Sequence, residues 1–97
     1  MYRIVYTKQA AKDIENLKSA GLDTKAKDLI EVIRADPFQK PPAYEPLVGS
    51  LKGFFFRRIN IQHRLVYQVY AGSFEEGGIK YEGTVKIVRM WSHYDKI

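Results

Sequence analysis

Gly53-Phe54-Phe55-Phe56-Arg57-Arg58-Ile59-Asn60-Ile61-Gln62-His63-Arg64-Leu65-Val66-Tyr67 sets three arginines and a histidine among aromatic and β-branched residues. That composition reads as two strands joined by a turn. If the turn is centred on Ile61, Arg58 and Arg64 stand opposite each other on one face of a hairpin. Half a step away, the pairs become Arg57 with Arg64 and Arg58 with His63. Like charges across a ladder repel by a few tenths of a kcal/mol or more, so the first register calls for a counter-ion. A phosphate suits it, because a guanidinium can grip two of its oxygens at once. A purely structural alternative pairs the arginines with Glu or Asp side chains from the helices. His63 shares its parity with Leu65, Tyr67 and Val69, which favours a structural place for it.

The segments on either side extend the pattern. Tyr2 to Tyr6 is a short aromatic and β-branched strand. Thr7 caps a helix from about Lys8 to Ser19, where Ala10, Ile14 and Leu17 recur at helical spacing, and Gly21 ends it. Asp23 is a candidate cap for a second helix with Ala26, Leu29, Ile30 and Ile33 on its apolar stripe; Asp36-Pro37 stops it. Pro37 to Ser50 holds all four prolines and reads as a stiff, extended loop carrying Glu45. Strands are expected at about Gly53 to Ile59, His63 to Tyr70 and Thr84 to Trp91, with Ala71 to Gly83 a long hairpin connection that has room for a short strand near Ile79 to Tyr81. Helices early and strands late favour an α+β fold. The expected form is one antiparallel sheet of about four strands, with two N-terminal helices on one face and residues 1–97 as a single domain.

Composition limits the chemistry. The 97 residues include no cysteine, which removes disulfides, thiolate metal sites and a cysteine nucleophile, and two histidines make a poor zinc site. No apolar run approaches the roughly 20 residues of a membrane-spanning helix, and the start lacks a signal peptide's apolar core, so a cytoplasmic location is the default. The net charge is +5, and no acidic residue lies between Glu45 and Glu75, while Lys52, Arg57, Arg58 and Arg64 all do. Such a patch attracts polyanions by counterion release. His93 follows the last expected strand, where an imidazole titrates near neutral pH. Trp91 and Tyr94 serve equally as packing aromatics or as stacking faces for bases.

Glu45-Pro46-Leu47, Gly53-Phe54 through Arg57-Arg58-Ile59, His63-Arg64-Leu65-Val66-Tyr67 and His93-Tyr94 together resemble the YoeB (Txe/YoeB) toxins of the RelE/ParE superfamily. Order and spacing match over about residues 37 to 70; the helical first third agrees in layout more than in residues. The resemblance implies a RelE-like fold and a bacterial type II toxin, an endoribonuclease that cuts messenger RNA in the ribosomal A site. It implies no cofactor and no metal. A co-expressed antitoxin, acidic and partly disordered, is the implied partner, and homodimers are an implied assembly. It places an acid-base pair on Glu45 and His93, phosphate-binding arginines on Arg58 and Arg64, and a terminal tyrosine on Tyr94. Relatives carry a basic residue shortly after the glutamate where this chain has Val48, so that contact to the phosphate is either lost or replaced by Lys52 or Arg57. The chain also runs past His93-Tyr94 through Asp95-Lys96-Ile97.

These residue types suit RNA cleavage by acid-base catalysis, with Glu45 as base, His93 as acid, Arg58 and Arg64 on the phosphate and Tyr94 orienting the substrate. Two other readings share the fold and basic surface: a ParE-like toxin that binds DNA gyrase without cutting anything, and a non-catalytic RNA-binding domain.

Overall fold

The computed structural model describes residues 1–92. Two helices and five strands follow the chain as β1 (Tyr2–Tyr6), α1 (Lys8–Ser19), α2 (Asp23–Ala35), β2 (Glu45–Pro46), β3 (Phe54–Arg58), β4 (Arg64–Glu76) and β5 (Ile79–Ser92), with a 3-10 turn at Gly49–Leu51 before β3. The strands form one sheet in the order β1-β5-β4-β3-β2. The α+β class expected from the sequence holds, with two differences in the sheet. It has five strands, and β1 runs parallel to β5 while its other pairings are antiparallel. The chain leaves β1 into the two helices, and β5 later fills the place beside β1 from the far end of the sequence. No local pattern announces a pairing of that range.

Capping sets the helix ends. The Thr7 hydroxyl accepts the Ala10 N–H at 3.0 Å and donates to the Val88 carbonyl at 2.8 Å, so one residue starts α1 and ties it to β5. Gly21 closes α1 with positive φ. Its N–H reaches the Lys18 carbonyl and that of Leu22 the Leu17 carbonyl, a Schellman ending. Asp23 is not the cap of α2. Leu22 holds that position without a side-chain bond, and Asp23 is the first helical residue, placing its charge at the positive end of the helix dipole.

Ala10 and Leu17 of α1 and Ala26, Leu29, Ile30 and Ile33 of α2 pack on Ile59, Leu65, Tyr67, Val85, Ile87 and Met90 of the sheet region. Burying each large aliphatic side chain in this layer contributes about 1.5–3 kcal/mol before entropy is counted. Leu47, Phe56 and Val66 form a smaller cluster with Leu51, Phe54 and Val88. Phe56 and Val66 alternate with Phe55 and Leu65, so this second cluster lies on the sheet face away from the helices.

The expected long connection between Ala71 and Gly83 is instead a continuation of β4 and β5. Glu76 pairs with Ile79 across a two-residue turn of Gly77 and Gly78, both with positive φ, as a primed turn requires. Phe74 stacks on Tyr81 across the arm at 5.0 Å. Glycines and glutamates there suggested a loop, whereas their positions fit an exposed ribbon with a register shift between Ala71 and Phe74.

Candidate active site

The register of β2, β3 and β4 puts the charged residues on two adjacent rungs. Glu45 pairs with Phe56, which pairs with Val66; Arg58 pairs with Arg64, which also pairs with Ser92 of β5. Rungs two residues apart are separated by about 6.6 Å along the strands. Glu45 and Arg58 are thus diagonal neighbours on one face, within reach of each other's long side chains. They share a cleft of about 180 Å³ lined by Pro42, Ala43, Tyr44, Glu45, Phe56 and Arg58. Glu45 belongs to a short strand rather than to a free loop, which fixes its side relative to Arg58.

The hairpin turn lies where the sequence argument centred it, so Arg58 opposes Arg64 and the alternative register is excluded. The two guanidinium groups live in different surroundings. Arg58 is exposed. Arg64 is 7% exposed, donates from Nη1 to the Ile61 carbonyl at 2.9 Å and the Asn60 carbonyl at 3.3 Å, and lies 5.7 Å from the centre of the Phe56 ring. The turn carbonyls and the aromatic face hold Arg64 in place before any ligand arrives. Among the described residues, neither arginine makes a salt bridge. The pair therefore presents two positive charges that an anion can bridge.

The expectation that Arg57 contributes to phosphate or RNA binding is corrected. Arg57 pairs with Leu65 on the helix side of the sheet and is 1% exposed. Its guanidinium donates to the carbonyls of Pro42 at 2.6 Å, Pro37 at 3.0 Å and Gln39 at 3.0 Å. Neither its position nor its donors are available to a substrate on the other face, so it cannot stand in for a basic residue at Val48. Val48 is 83% exposed and Lys52, just beyond the 3-10 turn, is exposed as well. His63 is buried and stacks on Trp91 with ring centres 4.0 Å apart, in line with its parity. His93 and Tyr94, with Asp95-Lys96-Ile97, lie outside the described residues. Among those described, no three His, Asp or Glu side chains cluster so as to hold a metal ion.

One arrangement escaped the sequence argument. Asp13 of α1 is fully buried and accepts from Arg89 Nε at 3.0 Å, the Met90 N–H at 2.9 Å and Gln9 Nε2 at 3.0 Å. These contacts brace β5 where its pairing with β4 shifts register, just before Ser92 returns opposite Arg64. An acid interrupting the apolar stripe between Ala10 and Leu17 was the available signal. A helical Asp is more often solvated, and its partners on β5 lie 76 and 77 residues away.

Residues 6–94 match the family model for the YoeB-like toxin of bacterial type II toxin-antitoxin systems. The chain belongs to this family. Toxin YoeB from Synechocystis sp. is 49% identical over 41 residues, which cover 42% of this chain and 48% of that relative. The chain thus spans about half the length of the curated relatives it matches. Among solved structures, a YoeB/ParE toxin from Agrobacterium tumefaciens superposes with a TM-score of 0.75 at 29% identity, covering 95% of this chain and 99% of that one. The YoeB-YefM complex from Staphylococcus aureus gives a TM-score of 0.70 at 26% identity, covering 97% and 99%. A YoeB dimer from the same organism gives 0.73 at 26% identity, covering 96% and 98%. The paired rungs around Glu45 and Arg58 therefore sit on a YoeB-type scaffold.

Proposed function

We propose that this chain, its 97 residues acting as one YoeB-like toxin domain, is a ribosome-dependent endoribonuclease that cuts messenger RNA in the A site and so arrests translation. The observation that carries this reading is the cleft shared by Glu45 and Arg58, which is also lined by Phe56, the ring beneath the Arg64 guanidinium. A carboxylate beside two arginines that make no salt bridge among the described residues matches the needs of phosphodiester cleavage, a proton acceptor and a clamp for the charged phosphate.

In the proposed reaction Glu45 takes the proton of the ribose 2′-hydroxyl, and the 2′-oxygen attacks the adjacent phosphorus. The bond from phosphorus to the 5′-oxygen breaks as His93 gives that oxygen a proton, leaving a 2′,3′-cyclic phosphate and a 5′-hydroxyl. Arg58 and Arg64 bear the charge that grows on the non-bridging oxygens, and Tyr94 orients the base or leaving group. Lys52, exposed beyond the cleft, adds a contact to the RNA backbone. The role of His93 rests on the resemblance of the His93-Tyr94 pair to that of the family.

The proposed partner is an acidic, partly disordered antitoxin that folds over the basic face. The S. aureus relatives, one solved with YefM and one as a dimer, support both an antitoxin and a homodimer as assemblies of this chain. The test is primer extension on messages from cells expressing the protein. Discrete cuts near start codons are expected. Intact transcripts accompanied by broken DNA would overturn the nuclease in favour of a ParE-like gyrase poison.

A further inference from the structure

Arg57 and Arg58 are neighbours on β3 and project to opposite faces of the sheet. Arg58 lines the cleft, while Arg57 reaches back to the loop that delivers Glu45. That loop runs from the end of α2 to β2 and contains Pro37, Pro41 and Pro42. Prolines have no N–H to donate, so the loop has little means of bonding to the sheet through its own amides. Its carbonyls must find donors elsewhere.

One side chain serves three of them. Arg57 bonds to the carbonyls of Pro37, Gln39 and Pro42, which span six residues of the loop, and the last lies three residues before Glu45. Its guanidinium is 5.2 Å from the centre of the Tyr44 ring. The Tyr67 hydroxyl donates to the same Pro37 carbonyl at 2.8 Å. The Phe38 and Tyr44 rings pack against Phe55 with centres 5.2 and 6.0 Å away. A buried charge is costly to keep, and carbonyl dipoles compensate it only if they stay in place. The five donors of a planar fork suit three carbonyls aimed from different directions; an ammonium on a flexible stem does not.

We infer that Arg57 is a positioning residue for the reaction, fixing the loop so that Glu45 enters β2 opposite Phe56 and beside Arg58. The inference rests on the reading of Glu45 as the base. Arg57 touches no substrate, and its influence passes through the loop backbone.

The test compares Arg57→Lys, Tyr67→Phe and Glu45→Gln, alone and combined, in single-turnover cutting of message on programmed ribosomes. Arg57→Lys is expected to lower the maximal rate about 10²-fold, the scale of a misplacement near 1 Å. The ribosome concentration giving half-maximal rate should stay within about twofold. Tyr67→Phe, which keeps the ring and loses one anchor, should give a smaller loss of the same kind and covers the case in which Arg57→Lys folds poorly. In the Glu45→Gln background neither change should reduce the residual rate further, because both act through the missing base. Three results would overturn the inference: both variants cutting at the wild-type rate, Arg57→Lys raising the half-maximal concentration at an unchanged maximal rate, or losses that remain additive without Glu45. Wild-type cutting by Glu45→Gln would instead overturn the assignment of the base, and the positioning role with it.

Discussion

Arg58 and Arg64 face each other across the β3–β4 ladder, one exposed and the other held by turn carbonyls, so two like charges share a rung and neither makes a salt bridge among the described residues. The asymmetry separates stability from function. Arg58→Gln removes a repulsion and breaks no bond seen among the described residues, so it should raise stability by a few tenths of a kcal/mol. Cutting should fall by about 10² to 10³. Arg64→Gln also relieves the repulsion but strips two carbonyls of their donor and should cost about 1–3 kcal/mol net. Urea unfolding beside a cleavage assay reads both signs; equal destabilisation by the two changes would contradict this.

Removing the Asp13 carboxylate leaves Arg89 Nε, the Met90 N–H and Gln9 Nε2 without their shared acceptor. Asp13→Ala should cost about 3–5 kcal/mol, the range for breaking a buried ion pair by deleting one partner. Asp13→Asn keeps one oxygen and should cost less. Denaturant midpoints with unchanged slopes would check the order; Asp13→Ala unfolding with the wild type would refute it.

Burial raises the pKa of the Tyr67 phenol above the usual tyrosine value near 10, with the nearby Arg57 charge and hydrogen bond partly pulling it back. Burial also raises Tyr6, with Arg34 opposing and Glu31 reinforcing the shift. In each case the unfolded chain loses its proton first as pH rises. Native stability from these groups is thus complete below about pH 10 and is lost as pH climbs through the folded values. Tyr67→Phe should flatten the alkaline decline in melting temperature while lowering stability at neutral pH. An unchanged alkaline slope would show that Tyr67 is not a source of it.

Gly83 pairs with Tyr2 of β1 and Ala71 of β4, where three strands meet. A Cβ there would run into the Tyr70 carbonyl oxygen and press on the Tyr2 ring. Gly83→Ala should destabilise by about 1–3 kcal/mol, the usual cost of overpacking. Thermal melts would report it, and a neutral result would mean that β1 can move aside.

The opposition of Arg58 and Arg64 was legible as one of two registers, because a short hairpin ties register to its turn, and the structure chose between them by centring that turn on Ile61. Thr7, Gly21 and the apolar stripes of both helices were legible because their signals are local. The place of Arg57 was not. Its pattern is that of Arg58, and only the path of the proline-rich loop behind the sheet decides that one arginine is buried while its neighbour faces solvent. Asp13 with Arg89, and β1 beside β5, depend on partners from opposite ends of the chain. Local spacing carries no information about either.

The most direct measurement follows cutting of a ribosome-bound message by purified wild-type protein and by Glu45→Gln, a change at an exposed position that spares the fold. The wild type should give discrete A-site products ending in a 2′,3′-cyclic phosphate, and the variant should be slower by about 10² to 10⁴. A wild-type protein that leaves the message whole, or a variant that cuts as fast, would contradict the account.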